Sequence, residues 1–324
     1  MLFREKGANA VGCIERQRGV RRANRHRRQR CAAPIIHHPL SVINSPGFTL
    51  IELLVVIAVI AVLMAVLLPV LGAARKHAKA LICRSHLKEW GTTLALYLEE
   101  NEGRFPRSGS GGVDCTLSLL RGLNVGGKVD PNAPGRFHGV RTEGIALCPM
   151  ATTGNGPGTF TGRAAGEIYV EGKLGLAFAP WEITRPAPSF RMSYGLNNHV
   201  FSHSFEGSGV LKLHQMQYTD VFSLRRRAGI PLLLDAVQSF ASLGHESQSP
   251  PSHEPSGSEG EICINRHDGT LNNLFLDWSV RPVGLKELWT LKWHLQWDTA
   301  GRWTKAGGVQ PEDWPKWMRR FKDY

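Results

Sequence analysis

The sequence predicts an α+β subunit: one long N-terminal helix whose second half packs on a small antiparallel sheet, with loop and helix insertions. Three observations predict it. An apolar run from Leu53 to Leu71 passes into an amphipathic stretch of helical period that ends near residue 101. Short apolar segments bounded by Gly, Pro and Asn then recur, as antiparallel strands do. The last 40 residues are rich in regularly spaced tryptophan. There are no internal repeats, and no catalytic triad, phosphate-binding loop or strong metal motif is present.

Residues 1–47 form a basic leader. Ten of its residues are Lys or Arg (Arg4, Lys6, Arg16, Arg18, Arg21, Arg22, Arg25, Arg27, Arg28, Arg30) and two are acidic (Glu5, Glu15), so eight units of the net charge of +12 lie there. The rest of the chain is only mildly basic. A basic block before an apolar span marks a cytoplasmic flank, which predicts that the bulk of the chain is exported. The rival reading of Arg16 to Arg30, a nucleic-acid arm, lacks interleaved aromatics and a folded platform, and no nucleic-acid partner is expected. Of the 324 residues, about 250 remain beyond the leader and span, enough for one elaborated domain with its own core.

The next element, residues 48–71, begins Phe48-Thr49-Leu50-Ile51-Glu52 after Gly47 and carries about 20 apolar residues, roughly 30 Å of helix or one bilayer. Glu52 is its only charge, and a carboxylate there costs a few kcal/mol unless protonated or paired. A cut after Gly47 would supply the partner, because the new α-amino group on Phe48 can neutralise Glu52 in its own chain or a neighbour.

Gly47 to Glu52 with the following helix resembles the class III signal of type IV prepilins and type II secretion pseudopilins. The resemblance implies cleavage by prepilin peptidase between Gly47 and Phe48, methylation of the Phe48 amine, and assembly through Glu52 with other pilin or pseudopilin subunits. It further implies an inner-membrane assembly platform, contact with membrane lipid, a cytoplasmic N-terminus, and a periplasmic or surface filament. The function expected is structural rather than enzymatic. The alternatives are an ordinary signal anchor, a non-polymerising membrane-tethered binding or sensing protein, a DNA-uptake pseudopilin, and an anchored enzyme around His267.

Residues 72–102 continue the helix. Pro69, just before, is expected to kink or open it, since proline removes an N–H and clashes with the preceding turn. Arg75, Lys76 and Lys79 follow. Cys83, Leu87, Trp90, Leu94 and Tyr97 then recur at spacings of four and three, a stripe that faces a globular head. Glu99 to Gly103 and Phe105-Pro106 end the helix, which would run on the order of 80 Å if straight. Ser85 to Gly91 and Gly103-Arg104-Phe105-Pro106 resemble the N-L-K-x-[IL]-G and G-x-F-P runs of a pseudopilin-like subfamily expanded in planctomycete-type bacteria.

The head is residues 103–324. Residues 107–160 read as loops and short elements, and Leu147-Cys148-Pro149 resembles a Cys-Pro step of that subfamily. Strands are expected around Ile168 to Val170 and Leu176 to Phe178. Met192 to Asn197 resembles the subfamily's S-Y-x-x-N segment. Arg225 to Arg227 reads as a solvated loop, Ile230 to Ala236 as a buried strand ending in an acid, and residues 247–260 as a mobile surface loop.

In residues 262–280 two apolar runs flank Asp268-Gly269, which predicts a hairpin turning there. The segment resembles the prepilin-type processing-associated domain named for a His, nine residues, then Asp-Gly. Nine residues separate His267 from Asp277, and Trp278 stands in the glycine's place. A hydrogen bond between His267 and Asp277 across the hairpin is the expected role. No cofactor is required; Asp235, Asp268 and Asp277 are the calcium candidates, without a run of closely spaced oxygen ligands.

Cys13 and Cys31 belong to the leader. Cys83, Cys115, Cys148 and Cys263 remain, an even number on the exported side, with all three disulfide pairings open. The rival is zinc, for which Cys83-x-x-His86 and Cys263-x3-His267 have local spacing but no second chelating pair. In residues 284–324, Trp289, Trp293 and Trp297 recur every four positions, which predicts a helix over Leu285 to Trp297 with its aromatic face packed on the head sheet.

Overall fold

The computed structural model describes residues 47–100, 102–105, 144–154, 156, 158–164, 168–185, 189–197, 199–200, 218, 221, 224, 226–241, 243–244, 247–254 and 262–324. The expectations for the leader with Cys13 and Cys31, for Cys115, for Asn101, for residues 107–143 and for Arg225 lie outside them. The chain divides into two compact units between Ile57 and Ala58.

The first unit contributes the start of helix α1, Leu50–Glu100. The sequence around its origin explains why it begins there. Thr49 is the residue before the helix and Glu52 lies in its first turn. The Glu52 amide donates to Thr49 Oγ1 at 3.3 Å, and the Glu52 carboxylate accepts from the Thr49 amide at 2.9 Å and hydroxyl at 2.7 Å. This reciprocal pattern is a capping box, which satisfies two otherwise orphaned donors.

In the second unit α1 continues unbroken past Pro69, which the helix accommodates without ending. Its C-terminus is a Schellman closure: Glu102 adopts φ of 54° and the Gly103 amide donates to the Leu98 carbonyl at 2.7 Å. Between them Cys83, Leu87, Trp90, Gly91, Leu94 and Leu98 are buried, and Tyr97 is half-buried beside them. The expected stripe therefore faces the head, displaced by one residue at its last position.

Among the described residues the strands form two antiparallel four-stranded meanders, β1 to β4 and β5 to β8. The first comprises β1 (Thr159–Ala164), β2 (Ile168–Lys173), β3 (Trp181–Arg185) and β4 (Phe190–Met192). The second comprises β5 (Tyr194–Leu196), β6 (Pro231–Asp235), β7 (Thr270–Phe275) and β8 (Val280–Gly284). Only Ser193 separates β4 from β5, so the chain changes sheets at one residue.

The second sheet is covered on both faces, which follows from the period-two alternation of strands. Leu233 and Leu274 join the core that contains Trp90 and Leu94 of α1. Their neighbours Leu234 and Phe275 join a second core built with Trp289, Trp293, Trp297 and Trp314. β6 is accordingly buried along its whole length, as its apolar run Pro231 to Leu234 predicts, and Asp235 at its end is buried with it. Gly91 permits the close approach of helix to sheet: a Cβ there would stand 2.9 Å from Leu274 Cδ1.

Three expectations are corrected. Leu176 to Phe178 is no strand but a tight turn closed by a bridge between Leu176 and Ala179, because Gly175 and Pro180 bound it too closely. The hairpin turns at Asp277-Trp278 rather than at Asp268-Gly269, joining β7 to β8, and the run before Asp268 is irregular. Trp278 adopts φ of 67°, so the turn keeps a left-handed residue although the glycine is absent.

The tryptophan segment is a short 3-10 turn, Lys286–Thr290, followed by irregular chain, not a helix over Leu285 to Trp297. Its carbonyls are taken by indoles: Trp293 Nε1 donates to Leu288 O at 2.7 Å and Trp297 Nε1 to Trp289 O at 3.2 Å. The packing expectation holds, since all three rings are buried against β6, β7 and β8.

Candidate functional site

Two features carry chemistry. The first is the start of α1. Gly47 and Phe48 are exposed immediately before the helix, and Phe48 keeps 71% of its surface accessible. Every side chain from Leu50 through Leu71 is exposed as well. Within α1 this makes a segment long and apolar enough to cross a membrane. Exposed apolar surface of this extent is far beyond what a soluble monomer tolerates.

The second feature is a buried polar centre where α1, the corner at Ser193, the end of β6 and the turn before β7 meet. Arg266 is fully buried and spends its guanidinium on five acceptors. Four are carbonyls, of Ala177 and Ser193 at 2.6 Å and of Leu176 and Ala236 at 3.2 Å. The fifth is Asp235 Oδ1 at 2.8 Å. One side chain thus ties the Leu176 turn, the sheet-to-sheet corner and the end of β6 together.

Asp235 Oδ2 accepts from the Asn272 amide at 2.8 Å and faces His267 Nε2 at 3.2 Å. His267 Nε2 also stands 3.5 Å from Cys148 Sγ, and Cys83 Sγ lies 3.8 and 4.0 Å from the two Asp235 oxygens. The Tyr194 hydroxyl donates to Cys83 Sγ at 3.3 Å, and the Met150 amide to Cys148 Sγ at 3.5 Å. Burial alone would raise the Asp235 carboxyl, but the Arg266 and His267 cations prevail and hold it down at about 2. Burial likewise opposes the His267 cation, and the Asp235 charge overcomes it, lifting the imidazole to about 9. A hydrogen bond from Cys83, with His267 and Arg266 nearby, draws the Cys148 thiol down to about 6 against its burial. Burial pushes Cys83 well up.

The residues expected from sequence fall as follows. His267 does not bond to Asp277; it pairs with Asp235, and Asp277 Oδ1 instead accepts from the amide and hydroxyl of Ser279, closing its own turn. The reason is the register: Asp277 lies beyond the far end of β7 from His267. The three calcium candidates do not converge. Asp235 is buried among cations and a backbone donor, while Asp268 and Asp277 are exposed. Neither local zinc pair forms: His86 Nδ1 contacts the Leu147 carbonyl, and Cys263 is buried in the tryptophan core. Cys83, Cys148 and Cys263 are unbonded thiols. Sequence reading missed Arg266, Asn272 and Tyr194 as partners in this centre; the signal was Arg266 and Asn272 standing inside otherwise apolar segments.

Among the described residues, one long apolar N-terminal helix followed by antiparallel sheets makes an α+β, pilin-like fold. Residues 44–68 match the family described as the prokaryotic N-terminal methylation motif, so the chain carries a prepilin-type N-terminal segment. Over 58 residues the chain is 56% identical to the type IV wide pilus major component PilA4 of Thermus thermophilus. That alignment covers 18% of this chain and 44% of the relative, so the chain spans less than half the length of the relative it matches. No solved structure matches the chain.

Proposed function

We propose that this chain is a structural pilin or pseudopilin subunit. Prepilin peptidase cuts it between Gly47 and Phe48, the Phe48 amine is methylated, and the mature chain assembles from the bacterial inner membrane into a type II secretion pseudopilus or type IV pilus-like filament. The observation that carries this reading is the exposed apolar half of α1, headed by Gly47 to Glu52 and coinciding with the methylation motif. Surface of that kind is stable only in lipid or against copies of itself, and a subunit needs both in turn. The basic leader favours a cytoplasmic N-terminus with the head exported. In the filament the neighbouring Phe48 amine takes the place of the Thr49 donors as partner of Glu52. The nine-residue spacing from His267 to Asp277 supports membership of the processing-associated subfamily.

Mass spectrometry of the mature N-terminus from native membranes tests the reading. The expected result is a chain starting at methylated Phe48 in the wild type and an uncut leader in Gly47→Leu. An intact or differently cut leader in the wild type would refute it.

A further inference from the structure

We propose that Cys83, Cys148, Asp235 and His267 form a structural site for one divalent transition-metal ion of zinc-like chemistry, buried where the long helix meets the two sheets. The inference concerns the junction of α1 with the head and stands whether or not the chain polymerises.

Four ligand atoms, two sulfurs, one imidazole nitrogen and one carboxylate oxygen, all lie within 4.8 Å of one another. Bond lengths to zinc of about 2.0–2.2 Å for N and O and about 2.3 Å for S place the corners of a tetrahedron roughly 3.3–3.8 Å apart. The separations here are 3.2 Å for Nε2 to Oδ2, 3.5 Å for Nε2 to the Cys148 sulfur, and 4.0 Å for the Cys83 sulfur to the same Oδ2. These three edges lie within about half an ångström of tetrahedral ones, and a small inward movement of the side chains closes the set around an ion. The donor set, two soft thiolates with an imidazole and a carboxylate, suits zinc and its neighbours and not calcium, which takes six to eight oxygens.

With a dication, two thiolates and neutral His267, the charges of the ion and Arg266 balance those of the thiolates and Asp235, so the occupied centre buries no net charge.

The outer partners fit as well. Arg266 and the Asn272 amide fix the orientation of Asp235, and the Tyr194 hydroxyl and Met150 amide donate to the two sulfurs, as second partners of metal ligands do. His267 also lines a groove of about 390 Å³ together with Gly72, Lys76, His77, Met150 and Asp268. A disulfide between Cys83 and Cys148 is the competing chemistry. It uses two of the four groups and leaves the approach of His267 and Asp235 to the sulfurs without a role.

The full chain, purified in detergent without chelator, is incubated with Zn²⁺, desalted and assayed for bound metal; a parallel sample takes Co²⁺ and is read by absorption. The expected results are stoichiometric zinc, a Co²⁺ spectrum with thiolate charge-transfer bands and strong tetrahedral visible bands, and a lower melting temperature after chelation. Cys148→Ser and His267→Ala retain less metal by at least about tenfold, the loss that even outer partners of a metal site cause. Cys263→Ala, in the other core, retains it. Since a ligand variant can fail to fold, non-reducing peptide mapping and alkylation of the wild type give a second measurement. A Cys83–Cys148 linked peptide, or alkylatable thiols with no ion retained, would overturn the proposal.

Discussion

Replacing Arg266 with alanine tests how the head is held together. The substitution strands the Asp235 carboxylate, fully buried, without its guanidinium partner, and frees the carbonyls of Leu176, Ala177, Ser193 and Ala236. Removing one member of a buried ion pair costs about 3–5 kcal/mol, because the other charge is left uncompensated. Each buried acceptor deprived of its donor adds about 1 kcal/mol or more, and His267 offsets part of the charge loss. The ion pair and the four carbonyls together come to about 7–9 kcal/mol, and the His267 offset leaves a net cost of about 5–8 kcal/mol, a large share of the roughly 5–15 kcal/mol that stabilises a domain. With a urea slope of about 2–3 kcal/mol per molar for a head of this size, the midpoint falls by roughly 2–3 M. Urea titration of the full chain in detergent, followed by fluorescence of the buried tryptophans, measures it. Arg185→Ala is the matched control: its ion pair with Glu171 is 3.2 Å long but well exposed, and its loss costs less than about 0.5 kcal/mol. If Arg266→Ala unfolds within about 1 kcal/mol of the control, the guanidinium is not the tie described here and the reasoning fails.

Other substitutions have definite signs. At Trp278, with φ of 67°, Trp278→Gly should be more stable than Trp278→Ala by about 1 kcal/mol, reversing the usual order of the two residues; thermal melts of the pair decide it. Gly91→Leu should cost about 1–3 kcal/mol by forcing α1 away from Leu274, with Gly91→Ala milder because only the end of one leucine must move; denaturant midpoints rank them. Trp293→Ala should cost about 3–5 kcal/mol in a urea titration, since the ring is fully buried and its N–H serves the Leu288 carbonyl. Thr49→Ala should remove about 1 kcal/mol from the start of α1, seen as fraying of the first turn in amide exchange.

What the sequence discloses depends on how far apart the interacting residues lie. The long helix and its change from all-round apolar to one buried stripe are local patterns, and both are present in the structure. β6 was legible for the same reason: the short apolar run Ile230 to Leu234 reads as a strand covered on both faces, and it is one. The tryptophan segment shows where local pattern misleads. A spacing of four satisfies helical geometry, yet the indole N–H groups take the carbonyls a helix would use, and the rings pack just as well from irregular chain. The polar centre lies beyond local reading altogether. Cys83 and Asp235 are 152 positions apart, Cys148 and His267 are 119 apart, and the local pairs Cys83 with His86 and Cys263 with His267 point the wrong way. Only the sheet-to-sheet corner at Ser193 and the end of β6 bring the four groups to one point, with Arg266 holding both. Beside Asp235 and His267, a charged residue directly before the motif histidine, inside an otherwise apolar segment, was a further trace of that centre in the sequence. Burying it costs several kcal/mol unless the fold supplies acceptors, so its presence there implies a prepared site.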